Sequence, residues 1–414
     1  MTTAQALAPL RDRRFRLLFA GRAVSMLGSS MAPVALAFAV LDLSDSAAVL
    51  GIVLAARSIP MAAFMLVGGV VADRFSRSVV LRMSHLLSAA TQGAAAALLI
   101  TGHAEVWSLV LLEAANGTVT AFTFPAMNSI VPAVVERSFL QQANALLSFA
   151  RHGLYVIGPT VATVLVVTVG SGWALAFDAL TWLIAAWCMG RLRLPAFERT
   201  ESTSMLHDLR VGWGEFSSRT WVWIVVAAFG AMNAIHAGVW FTLGPVIAKD
   251  TIGPGPWGWV LSAEALGLLL MTLVLLRVTL RFPLRAGMLG MLMMTAPFLV
   301  LGVDPSVLPL IALSFAGGAG LEVFGIGWST ALQEHIPEEV LSRVFSYDAL
   351  GSFLAIPVGQ LLAGPLASYL GAQQVAIGGA ILYALVVSAT LLSPSVRNLE
   401  RVPQDRQPAG SEGG

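Results

Sequence analysis

The chain has 414 residues, of which 57% are hydrophobic and only 11% charged, and its mean hydropathy is +0.79. This balance excludes a water-soluble globular protein, which needs far more charge to cover a core. A net charge of +1 gives no support to nucleic-acid binding, and the single cysteine, Cys188, excludes intramolecular disulfides and multi-thiolate metal sites.

A helix needs about 20 mainly apolar residues to cross a hydrocarbon layer. Four arginines, Arg11, Arg13, Arg14 and Arg16, stand before an apolar stretch too long for a signal-peptide core, so the first helix is expected to be retained behind a basic anchor. Spans are predicted near 15–41, 47–71, 79–101, 106–132, 143–169 and 172–190, then near 220–247, 257–279, 285–302, 307–333, 345–369 and 373–393. Residues 1–190 and 220–394 thus form two six-helix units. The polar stretch 191–219 reads as a cytoplasmic linker with a short amphipathic helix, and 395–414 as a disordered cytoplasmic tail. Of the 24 Lys and Arg, 20 fall on the termini and on alternate loops; the opposite loops hold only Lys249, and Arg22, Arg57 and Arg151 lie inside spans. The positive-inside rule then places both termini in the cytoplasm and requires an even number of crossings.

The halves resemble each other. Pairing Pro132 with Pro337 gives an offset of 205, and pairing Arg74-Phe75 with Arg281-Phe282 gives 207. Two parallel six-helix repeats predict a cavity where they meet near the bilayer midplane.

After the second span stands Gly69-Val70-Val71-Ala72-Asp73-Arg74-Phe75-Ser76-Arg77. Its Gly69, Asp73, Arg74 and Arg77 resemble the loop motif of the major facilitator superfamily, while Ser76 replaces a usual glycine and Ser78 a usual basic residue. The resemblance implies that Asp73 helps latch the two halves in one state of a transport cycle. Further on, Trp328, Thr330, Gln333, Pro337, Arg343-Val344-Phe345-Ser346, Pro357, Gly359 and Leu362 to Ala367, with Ala143 to Leu146, resemble the branch holding enterobactin exporters and macrolide efflux proteins. The resemblance covers roughly residues 12–393. It implies an all-α fold of twelve transmembrane helices in two pseudo-symmetric bundles in a bacterial inner membrane, and a secondary exporter driven by protons. The partners implied are a small organic solute, protons and the lipid bilayer, for a monomer with no cofactor and no nucleic acid.

Ionisable groups inside spans are the sharpest pointers, because a charge left in hydrocarbon costs about 3 kcal/mol or more. Candidates are Arg22, Arg57, Glu113, Arg151, His152, Asp178, His236, Glu264 and Glu322. Arg22 lies close enough to the basic anchor to snorkel, and Arg57 and Asp178 could equally reach opposite interfaces. Glu113 precedes Asn116-Gly117 in the fourth span, where many relatives carry an arginine four residues before the glycine. Two readings stay open for it: a titrating or substrate-binding acid, or a permanent partner of Arg57 or Arg151. Glu322 lies among glycines that thin its helix, and Asn233, His236 and Trp240 follow helical spacing along one stripe, where packing is an equal alternative. Gly158-Pro159 in the fifth span, and Pro357 and Gly364-Pro365 in the eleventh, are expected to interrupt backbone bonding and allow kinks or close packing.

The reading that results is a proton-driven exporter of a small amphipathic solute, with Asp73 and Arg77 in the gate and Glu113 or Glu322 as the acid. Uptake or passive facilitation is the nearest rival. A membrane enzyme lacks a clustered nucleophile, metal or phosphate site in the sequence, and a non-transporting sensor lacks a soluble domain.

Overall fold

The computed structural model describes residues 8–74, 77–135, 139–192, 213–214, 216–275, 278 and 280–401; the side chains at 8, 65–74 and 77, and several within 124–145 and 338–346, lie outside that description. The loop-motif side chains of Asp73, Arg74 and Arg77 therefore fall outside it, with Gly69 and Ser76, as do most of the linker and residues 402–414.

Among the described residues there are twelve long helices and no strand. They are α1 (Arg13–Ser44), α2 (Ala47–Arg74), α3 (Arg77–Ile100), α4 (Val106–Val134), α5 (Leu140–Val169), α6 (Ser171–Arg191), α7 (Thr220–Asp250), α8 (Pro254–Leu275), α9 (Pro283–Val303), α10 (Val307–His335), α11 (Glu338–Leu370) and α12 (Ala372–Leu392). Eleven are long and apolar enough over their described residues to cross a membrane; α4, at 29 residues, is as long as α10 but holds undescribed side chains. Helices are the physical answer to an apolar solvent, since they satisfy their own backbone polar groups. The outward faces stay apolar too: Leu308, Val167, Trp107 and Leu385 are all exposed.

Turns between helices are short and capped. Asp12 accepts from the Arg14 N–H at 2.6 Å, and Glu105 and Ser108 form a reciprocal capping box at the start of α4. A single glycine with positive φ joins α5 to α6 (Gly170, φ 98°) and α11 to α12 (Gly371, φ 91°). An L side chain rarely adopts that conformation, so glycine is required at both turns.

The two halves pack by one plan. In the first, α2 lies against α4, α3 against α6, and α1 against α5 and α6; in the second, α8 lies against α10, α9 against α12, and α7 against α11 and α12. The boundary follows the same symmetry, because α2 meets α11 and α8 meets α5. Shifting each pair by six helices turns one contact into the other.

Glycines let these pairs approach to backbone contact. A Cβ at Gly51 would overlap the Gln360 carbonyl oxygen, and one at Gly258 would overlap Thr163 and crowd the Pro159 carbonyl oxygen. Gly51 and Gly258 are 207 positions apart, whereas Pro159 and Gln360 are 201 apart, as are Gly170 and Gly371. The repeat therefore keeps the expected 207 register through α2 and α8 and takes a register of 201 through α5, α6 and their counterparts.

The expected helix breaks do not end their helices. The α-helix α5 runs through Gly158 and Pro159, and α11 runs through Pro357, Gly364 and Pro365. Their use is close packing: a Cβ at Gly158 would overlap Ser30 of α1, and one at Gly364 would overlap Ala48 of α2. Irregular backbone lies elsewhere, in a π-helical turn at Ala237–Leu243 of α7 and a 3-10 turn at Leu292–Met294 of α9. The first residues assigned to the tail are ordered. Pro394–Arg397 forms a helical turn, Val396 is fully buried, and Arg401 donates to Glu334 at 2.8 Å.

Candidate functional site

In the first half, Glu113 is 1% exposed on α4. Gln92 Nε2 of α3 donates to its Oε1 at 3.0 Å, and Arg57 Nη1 of α2 stands 3.7 Å from its Oε2. Asn116, one turn on, donates to Thr91 Oγ1 at 3.0 Å. Asp178 of α6 is equally buried and lies within electrostatic reach of Arg57 and Glu113. Arg57 and Asp178 thus point inward rather than to opposite interfaces, and a buried carboxyl beside a guanidinium is a charge-compensated pair. Arg151 stands elsewhere: it is exposed on α5 beside His152, with Nη2 3.5 Å from Nε2.

Gly117 explains how α2 and α4 come so close. A Cβ there would overlap the Arg57 carbonyl oxygen. In the second half Gly318 of α10 presses in the same way on the carbonyl oxygen of Glu264 of α8. Arg57 and Glu264 are 207 positions apart, so the repeat places an arginine and a glutamate at equivalent points of the two bundles.

Glu264 is 9% exposed. Trp240 Nε1–H, carried by the π-helical turn, donates to its Oε2 at 2.7 Å, and His236 Nε2 lies 3.9 Å from its Oε1. Trp257, Phe298 and Phe241 wall the group in, with ring centroids 4.8 to 5.7 Å from Trp240 or His236. The stripe of Asn233, His236 and Trp240 divides its contacts: Asn233 donates to the Ser352 carbonyl of α11 at 3.3 Å, while His236 and the fully buried Trp240 turn to Glu264.

Glu322 of α10 is half-buried and accepts from Thr272 Oγ1 of α8 at 2.6 Å. His152 lies within its electrostatic reach across the boundary, and Arg151 within that of Arg22 of α1. The boundary therefore carries basic groups from the first half and an acid from the second. Nearer the side away from the termini, polar contacts cross it. Thr160 Oγ1 of α5 and Ser262 Oγ of α8 share a hydrogen bond of 2.8 Å, and Lys249 bonds Asp45 at 2.6 Å and the Leu41 carbonyl at 2.8 Å. Sequence reasoning counted Lys249 without finding that partner, and it named Glu264 without singling it out. The 207 offset, applied to Arg57, would have pointed to it.

A bundle of this architecture, buried ionisable groups beside a boundary between two equivalent halves, defines a membrane transporter. Residues 4–410 match the family described as transmembrane secretion effector, and the chain belongs to that family of major facilitator transporters. It is similar to macrolide efflux protein A of Streptococcus pyogenes, 23% identical over 94% of this chain and 97% of that protein. It is also similar to the multidrug efflux pump Tap of Mycobacterium tuberculosis, 25% identical over 97% and 98%. Two solved structures share the fold. The nucleoside transporter NupG is 16% identical, with a TM-score of 0.70 over 92% of this chain and 98% of its own. A bacterial homologue of the lysosomal transporter Spinster is 14% identical, with a TM-score of 0.72 over 97% and 100%.

Proposed function

We propose that this transporter exports a small amphipathic organic solute, a drug, siderophore or natural product, from a bacterial cell in exchange for protons. It works as a monomer in the inner membrane by alternating access, with residues 1–190 and 220–394 as the moving halves and both termini in the cytoplasm. One observation carries the reading: the halves meet through two symmetry-equivalent helix pairs, α2 with α11 and α5 with α8, sealed away from the termini at Thr160, Ser262 and Lys249. A symmetric boundary can be closed equally at either end, which is what alternating access requires. The seal supports a state open toward the termini. Of the two candidate acids, Glu322 has the access that proton or substrate exchange needs, and Glu113 has the arginine that a coupled charge pair needs. Asp73 and Arg77, with Gly69 and Arg74, form the gate that holds the cytoplasmic end when it closes. The names of the relatives support export over uptake.

Reconstituted vesicles test this. A proton gradient should drive accumulation of erythromycin or ethidium into inside-out vesicles, and Glu322→Gln should reduce it at least severalfold. Accumulation only in right-side-out vesicles would make the protein an importer; binding without flux under any gradient would make it a sensor.

A further inference from the structure

We infer that Glu264 is a proton-carrying residue of the second half, read out through Trp240 and the π-helical turn of α7. The inference deepens the proton-driven reading of the boundary and rests on it.

Counterions set Glu264 apart. Glu113 has the Arg57 guanidinium 3.7 Å away, and Asp178 lies within reach of the same arginine. Glu264 occupies the position equivalent to Arg57 itself, and among the described residues the elements packed on it bring no fixed cation. Helix α7 brings the His236 imidazole and the Trp240 N–H; α10 brings the backbone at Gly318, with Glu322 one turn along where it bonds Thr272. Helix α12 brings the Tyr383 hydroxyl, whose bond runs to the Met291 sulfur, and α5 brings the hydroxyls of Thr160 and Thr163. An isolated carboxylate among aromatic rings is expensive. A proton, on Glu264 or on His236, is therefore the counterion available to it. When Oε1 takes that proton it becomes a donor, and the nearest acceptor is His236 Nε2, which has no hydrogen-bond partner among the described residues.

Position makes the proton useful. Ser262, two residues before Glu264, bonds Thr160 across the boundary, and Gly258, one turn before that, packs on α5. The other face of the carboxylate is held by Trp240, in a seven-residue π-helical stretch of the kind that recurs at functional sites. Protonation weakens the charge-assisted bond from Trp240 and turns Oε1 toward His236, one turn earlier on α7, so the grip of α7 on α8 shifts and with it the position of Ser262 in its bond to Thr160. Asp178 has no such lever, because α6 packs inside the first half.

The test uses the full-length protein in proteoliposomes, with radiolabelled erythromycin as probe. Glu264→Gln should lose gradient-driven accumulation by about tenfold or more, within the usual range for coupling between two ligands, while equilibrium exchange of the probe persists. Trp240→Phe should shift the pH profile of driven transport. Infrared difference spectra between acid and alkaline pH should show a protonated-carboxyl band in the wild type that is lost in Glu264→Gln and moved in Glu264→Asp, which covers a poorly folded glutamine variant. Driven accumulation at the wild-type level in Glu264→Gln, or an unchanged carboxyl band, overturns the assignment to Glu264 alone. A wild type that shows no gradient-driven transport overturns the proton-driven reading and this inference with it.

Discussion

Arg57 and Glu113 show how a single pair decides between a structural and a working role. The carboxylate is buried and accepts from Gln92, and the guanidinium is partly exposed at 26%. Removing the cation strands a buried charge, at a cost of about 3 kcal/mol. Arg57→Ala is therefore expected to lower the melting temperature in detergent, and the double variant Arg57→Ala with Glu113→Gln to recover most of the loss. Recovery of stability without recovery of transport would mark the pair as part of the transport machinery; recovery of both would leave it holding α2 to α4. Glu322 differs because it leans on one threonine hydroxyl and faces His152 rather than a buried arginine.

Helix packing depends on glycines that permit carbonyl contact. A Cβ at Gly117 or Gly318 would overlap a backbone oxygen, whereas one at Gly325 meets open space. Backbone cannot swing aside as a side chain does, so Gly117→Ala and Gly318→Ala should each cost about 1–3 kcal/mol in thermal stability, and Gly325→Ala much less. Equal losses at all three positions would mean that the helices adjust freely. The boundary pair α5 and α8 offers a second measurement. With Cys188 replaced by serine, cysteines at Thr160 and Ser262 should form a disulfide that stops transport until a reductant restores it, because their hydroxyls are 2.8 Å apart. An oxidised, cross-linked protein that still transports would show that this contact need not open.

At the scale of the molecule, Lys249 ties the end of α7 to the turn after α1, through Asp45 and, at 3.8 Å, Asp42. Asp45 is largely exposed, so the clasp is worth at most about 1 kcal/mol and is screened by salt. Lys249→Met should thus shift the balance between open and closed far ends by no more than about fivefold. Distances between spin labels on the α1–α2 and α7–α8 turns would report the shift, which should shrink at high salt. A complete switch in population would show that the clasp dominates the seal and that glycine packing and the Thr160–Ser262 bond add little to it.

Much of this architecture was legible in the chain. Most predicted spans begin and end within about four residues of the observed helices, because a bilayer imposes one length and one composition on every crossing; the eleventh starts seven residues earlier than predicted, at Glu338, and the predicted end of the eighth, near 279, lies beyond the helix's last described residue, Leu275. The repeat was legible for the same reason: equivalent helices in two halves meet equivalent neighbours. Its changing register was not, since six residues gained or lost in connecting loops leave the apolar pattern intact. Pro159 and Pro365 read as breaks because proline removes one backbone bond, yet both helices continue. The π-helical turn under Trp240 left no mark in hydropathy.

The sequence by itself determined the places of the long apolar helices and the set of charges within them, since these follow from the cost of placing polar groups in hydrocarbon. Only the tertiary structure decided which charges are compensated: Glu113 beside Arg57, Glu322 beside a threonine and a histidine, Glu264 beside a tryptophan and a histidine with no fixed cation among the described residues. Hydrophobicity acts along the chain and can be read there, but electrostatic partnership depends on distance between helices that are far apart in sequence.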